Sequence, residues 1–261
     1  MPQRINITTY GGAQYILENQ EKYKVTWHEG LSFLMGSGGT RFMLSGDTGL
    51  HANQRKCMHA QLYKDGWRGH IKAFYAQTTN RLIREKSYRL ANTNFVDVIR
   101  DVGNLGPVHF AARAFNLPLK TADNPKGIYS EHELYTVLAV IFVCIFFDFD
   151  PAKSFPLRQA GRAVAAQLGQ LIEANVGVVT GLGLRGLFAP RPSQDDPLAA
   201  YGVNLIKGLK KAGLSNYDIA WSQLLPTAGA SVPNIAEVVR LCLTFPLHCV
   251  ELSGQPVSSI I

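Results

Sequence analysis

The sequence predicts a mainly α-helical fold with a minor β component, and three observations carry that reading. Apolar residues recur at helical spacing through residues 50–90, 95–115, 131–149, 157–179, 201–212 and 218–237. Capping residues precede several of these segments, Asp47 or Thr48 before the first and Ser215 or Asn216 before the last. Strand-like alternation is confined to the start of the chain.

Taken in order, residues 4–20 read as a short strand, a Gly-Gly turn and a short helix. Residues 30–49 carry Gly36, Gly38, Gly39, Gly46 and Gly49 and read as loop. No Lys-Ser/Thr follows them, so a phosphate cradle is not supported. Residues 50–90 turn helical and basic. Residues 95–115 are helical and stop at Asn116-Leu117-Pro118, and 121–127 is a turn-rich linker.

The most apolar run is Leu134–Phe147, inside a helix over 131–149. It falls short of the ~20 residues that span a bilayer, so a buried helix is expected, with peripheral membrane contact the lesser expectation. After a connector at 150–156, residues 157–179 form an amphipathic helix with Leu168, Leu171 and Ile172 on one side. A surface loop at 180–198 and a helix at 201–212 follow.

The stretch Asp218–Glu237 reads as one long helix, yet contains Pro226, Gly229 and Pro233. Interior proline costs a helix ~3 kcal/mol and glycine ~1 kcal/mol. A helix locally opened to admit a flat ligand would explain that composition, and close helix packing is the competing reason for Ala228-Gly229-Ala230. Asn234 and Glu237, three residues apart, share a face.

The chain has 261 residues, 46% hydrophobic and 17% charged, enough for one sizeable core. Cys57, Cys144, Cys242 and Cys249 have no metal or disulfide spacing, which suits a reducing compartment. The seven histidines show no ligand spacing, so no metal site formed by side chains is expected. A net charge of +7 allows anionic partners, but the basic residues are dispersed and no nucleic-acid motif is present. His51 and Arg55, at i and i+4, could clamp a carboxylate or remain a solvated basic face. No nucleophilic motif occurs.

Several segments together resemble a known family. Gly46-Asp-Thr-Gly-Leu-His51-Ala-Asn-Gln-Arg55-Lys is similar to the HxxxR helix of cytochromes P-450. Arg4-Ile-Asn-Ile-Thr-Thr-Tyr-Gly-Gly12, Asp101-Val-Gly-Asn-Leu105, Phe142 through Arg158, and Leu225-Pro-Thr-Ala-Gly-Ala230 resemble the P-450 domain of fungal fatty-acid oxygenases. These are the linoleate diol synthases, or psi factor-producing oxygenases.

The resemblance implies the N-terminal and distal-helix portion of a P-450 fold over 1–243, with 244–261 a non-matching tail. It implies haem as cofactor, with His51 and Arg55 on its propionates and Ala228 and Gly229 admitting it. Asn234 would orient a fatty-acid hydroperoxide during isomerisation to a diol, beside Glu237 where the family has glutamine. Ser231 and Val232 replace the acid–alcohol pair of monooxygenases, so no reductase is expected. The haem-thiolate cysteine loop is not found, and the chain is expected to be a truncated piece, with a non-catalytic remnant the alternative. The expected location is cytoplasmic, with a membrane or lipid-body surface second.

Overall fold

A computed structural model describes residues 5–253 except 20, 65, 149, 151, 183–185 and 189–195, with side chains described as far as residue 243. The fold is mainly α, with nine α-helices and one small hairpin among the described residues.

The first departure from expectation comes at the N-terminus. Residues 5–8 form no strand, and only α1 (Tyr10–Glu18) is regular there, capped by the Thr9 side chain. The β component lies instead between two segments expected to be helical, overlapping the end of one and the start of the next. β1 (Tyr88–Leu90) and β2 (Thr93–Phe95) pair antiparallel, with Tyr88 opposite Phe95. Tyr88, Arg89, Leu90, Thr93, Asn94 and Phe95 are rich in β-favouring types, and the two residues between the strands close the turn.

A second correction concerns the glycine-rich stretch. Residues 30–40 belong to α2 (His28–Thr40) rather than to a loop. Leu31, Leu34 and Met35 recur at helical spacing and are buried, and that stripe outweighs the glycine cost. Gly36 takes φ +59, where the helix kinks. Gly38 is required by packing, because a Cβ there would collide with Trp221.

The basic region supplies α3 (Gly49–Leu62) and α4 (Trp67–Lys86). A π-helical turn at Val98–Gly103 leads into α5 (Leu105–Phe115), which ends where Asn116 turns left-handed at φ 55. α6 (Glu131–Phe142) starts with a Ser130–Glu133 capping box and passes into a π turn at Val143–Phe147. Its Leu134, Leu138 and Ile141 are fully buried, so one face of the most apolar run is core, while Val143 and Phe147 at its end are exposed. No described helix is long and apolar enough to cross a membrane.

α7 (Phe155–Gly181) buries Leu168 and Ile172 as the amphipathic pattern predicts, and α8 (Tyr201–Lys211) follows. The loop expected at 180–198 lies mostly outside the described residues.

The long helix divides in two. Asp218–Leu224 is a π turn, and α9 (Leu225–Ser253) continues from it through Pro226, Gly229 and Pro233. The departure from regular α winding sits before Pro226, buried in the fold. Pro226, which has no N–H, follows directly on Leu225, whose N–H donates back to Ala220 O in the π turn. α9 packs chiefly on α6 and α5, and α2 and α7 embrace the π turn. Trp221 occupies slots that Gly38 and Gly169 leave open, and its Nε1 donates to Glu173 Oε2 at 2.8 Å.

Candidate functional site

His51 sits at the third position of α3, where a capping side chain reaches back to the helix start. The Thr48 N–H donates to His51 Nδ1 at 3.3 Å, so that nitrogen accepts. Nε2 then carries the proton and faces Ser45 Oγ at 2.9 Å and Thr40 O at 3.1 Å. The ring is buried and lies where a Cβ on Gly46 would meet Cε1 at 2.7 Å. Both ring nitrogens are thus used within the protein.

Arg55, one turn on, is exposed, and its guanidinium donates to Met43 O at 3.0 Å with most donors left over. The helix that presents these two residues is joined to the α9 element by a buried amide pair. Gln223 Nε2 in the π turn donates to Gln54 Oε1, which stands between His51 and Arg55 in sequence.

On α9, Ala228 is fully buried, and Gly229 is buried against α6, where a Cβ would come 2.9 Å from Ile141 Cγ2. Close helix packing is therefore the use made of Gly229. Asn234 and Glu237 lie on the exposed side of α9. Asn234 Nδ2 donates to Ala230 O at 2.7 Å, leaving its carbonyl oxygen outward. Glu237 accepts two bonds from Arg240, which hold its carboxyl below the usual carboxylate range. Ser231 Oγ donates back to Ala228 O at 3.3 Å, and Val232 is fully buried.

The structure thus brings His51 together with Arg55 and Asn234 with Glu237, while Ala228 and Gly229 face the opposite, packed side. Two buried polar atoms near α9 lack hydrogen-bond partners among the described residues: Gln223 Oε1 and Thr227 Oγ1, one turn apart. Sequence reasoning missed Gln54, Gln223 and Thr227. The i+4 spacing from Gln223 to Thr227 was a readable signal, but their burial was not. No group of side chains among the described residues could hold a metal ion.

A second polar cluster lies apart from α9. Buried His109 on α5 contacts Glu131 Oε1 at 2.6 Å, and Lys86 also pairs with Glu131. A cavity of about 400 Å³ opens beside it, lined by Phe74, Thr78, Arg81, Arg113 and Asn124 among others.

These features define a mainly helical protein built on one long helix with a π-turn entry and an outer face that mixes Asn234 and Glu237 with exposed Val238 and Leu241. Comparison with known proteins places it more narrowly. The chain is 64% identical over 245 residues to a bifunctional dioxygenase–epoxy alcohol synthase of Fusarium oxysporum, a match covering 94% of this chain and 19% of that protein. It is 45% identical over 254 residues to psi-producing oxygenase A of Emericella nidulans, covering 94% and 24%. Linoleate diol synthase of Gaeumannomyces graminis is 39% identical over 168 residues, covering 62% and 14%. The chain is a relative of the fungal fatty-acid oxygenases of the linoleate diol synthase and psi-producing oxygenase family. It spans about a fifth of the length of the curated relatives it matches. No family model and no solved structure matches it.

Proposed function

We propose that the chain is the distal portion of a P-450-type domain that rearranges fatty-acid hydroperoxides in oxylipin formation. The observation that supports this best is the state of Ser231 and Val232. Neither is an acid, the one hydroxyl is turned back onto Ala228 O, and Val232 is buried. No proton relay to dioxygen is therefore built at the positions where a monooxygenase would carry one. A hydroperoxide already contains the O–O bond, so such a relay and a reductase are dispensable.

A bound haem supplies the iron chemistry that cleaves an O–O bond. This chain's residues fit it in part. Arg55 has donors to spare for a propionate, and His51 holds the first turn of α3 that aims Arg55. The outward Asn234 amide can accept from or donate to the oxygen group of a substrate lying along α9. Glu237, ionised and held by Arg240, places a charge near that end. Ala228 and Gly229 contribute through the packing that fixes α9 against α6. No thiolate ligand is proposed from the described cysteines.

Two relatives named epoxy alcohol synthases are 64% and 60% identical, against 39% for the diol synthase. We therefore put epoxy alcohol ahead of diol as product. Titrating the purified chain with haemin, followed by Soret absorbance and tryptophan fluorescence quenching, tests the reading. Saturable binding that weakens on Arg55→Ala supports it, and non-saturable binding sinks it.

A second reading, a non-catalytic piece, draws on the exposure of Val238, Leu241 and Leu243 on α9. Exposed side chains of that size leave the helix face uncovered. Cooperative two-state unfolding of the chain alone would count against an unstable remnant.

A further inference from the structure

Basic residues occur along the whole chain, but their excess over acidic ones does not. Residues 50–90 contain nine Lys and Arg against two Asp and Glu, an excess equal to the +7 of the entire chain. Residues 199–212 add three lysines and no acid, so the rest of the chain is net acidic.

The fold joins these two segments. α8 lies across the end of α3: the Tyr201 hydroxyl donates to Leu62 O, and Gly208 abuts the Gln61 side chain. Lys207 and Lys210 are on α8, which packs on α3; Lys56 is on α3, Lys64 just past its end and Lys72 on α4, all of them exposed. Among the described residues none of these five lysines forms an ion pair, whereas Arg81 and Lys86 farther along α4 are paired to Glu85 and Glu131.

An aromatic ladder runs through the same corner. The His59 and Tyr63 rings are 4.8 Å apart, Tyr63 and Trp67 are 4.7 Å apart, and Arg68 lies over Trp67. Tyr63 is 43% exposed. The 400 Å³ cavity beside α4 is lined by none of these residues.

We propose that this corner of α3, α4 and α8 docks on an anionic phospholipid surface. Exposed lysines near amphipathic rings are the combination that an acidic headgroup layer attracts, by charge and by interfacial ring insertion. Lysine outnumbers arginine at the corner, which favours point contacts with phosphates over the bidentate reading of bases. This surface is independent of the haem reading and stands or falls separately from it.

The test is co-sedimentation of the full chain with vesicles of phosphatidylcholine, with and without phosphatidylserine. Binding should require phosphatidylserine and fall with salt. Each lysine replaced by glutamine should weaken it about fivefold, so replacing Lys64, Lys72, Lys207 and Lys210 together should abolish measurable binding. Lys153→Gln, at an exposed site 87% open on the α6–α7 connector, should leave it unchanged. Circular dichroism checks that the variants fold, and Tyr63→Ser, which retains every charge, should give a partial loss. Equal binding to neutral vesicles, full binding by the fourfold variant, or tighter binding to single-stranded DNA than to vesicles would overturn the proposal.

Discussion

Ile141 fills the notch that Gly229 leaves in α9: its Cγ2 lies 2.9 Å from where a Cβ would stand. Two helices meet there at a distance only glycine permits. The mid-helix glycine that first suggests an opening for a ligand is, in the fold, a point of closure.

Gly229→Val should therefore destabilise by about 1–3 kcal/mol through overpacking, despite the better helix propensity of the new residue. Ile141→Ala alone should cost about 2–5 kcal/mol. Combined, they should cost less than the sum, because the new methyls occupy the vacated space. Urea denaturation of the four proteins measures this, and strict additivity would contradict the contact.

His51→Ala removes the acceptor for the Thr48 N–H, and a loss of about 1–2 kcal/mol is expected. His51→Gln, which can accept the same bond, should recover part of it. Thermal melts of the two variants decide the matter, and equal losses would argue against the capping role.

The Gln54–Gln223 pair predicts a different pattern. Gln54→Leu or Gln223→Leu alone strands a buried amide at about 1–3 kcal/mol, while the double change should cost less than either. Thr227→Val removes a hydroxyl that is buried without a partner among the described residues. In the free chain that change should be neutral or stabilising. A drop in Tm on Thr227→Val would show that a water already satisfies the hydroxyl.

Acid should weaken the fold through the His109–Glu131 cluster. Burial pushes the His109 imidazole below its ordinary value, so its stabilising share is full above about pH 6.5 and is lost as pH falls. The hydrogen bond from His109, with Lys86 beside it, lowers the Glu131 carboxyl to about 2. Its contribution is complete above the unfolded value near 4.5 and disappears toward pH 2. Tm should therefore fall in two stages, beginning below about pH 6.5. His109→Leu should remove the first stage and shrink the second, because the bond that most lowers Glu131 goes with the imidazole.

Much of the helical framework was legible from spacing and caps. Ser215, whose Oγ accepts from the Asp218 N–H at 3.0 Å, and Thr48 both stand where the sequence placed a cap. The glycines of α2 were misleading because their number reads as flexibility. Only the approach of Trp221 shows why Gly38 must lack a side chain. The hairpin at 88–95 was hidden by the helical pattern leading into it. At the candidate site, residue types were readable, but the sides they occupy were not. The difference between packed Gly229 and outward Asn234 depends on which neighbour covers each side of α9.

The π turn at Asp218–Leu224 has one more effect. Each residue of an α-helix advances about 100° around its axis, and a π turn holds one residue more than an α turn would. It therefore sets the rotational phase of everything after it. Rewinding the segment to α with all its residues kept would swing Asn234 about a quarter-turn relative to α2 and α7, whereas deleting one residue as the turn closes to α would keep the phase. The orientation of the outer face of α9 is thus recorded in a seven-residue segment that lies outside that face.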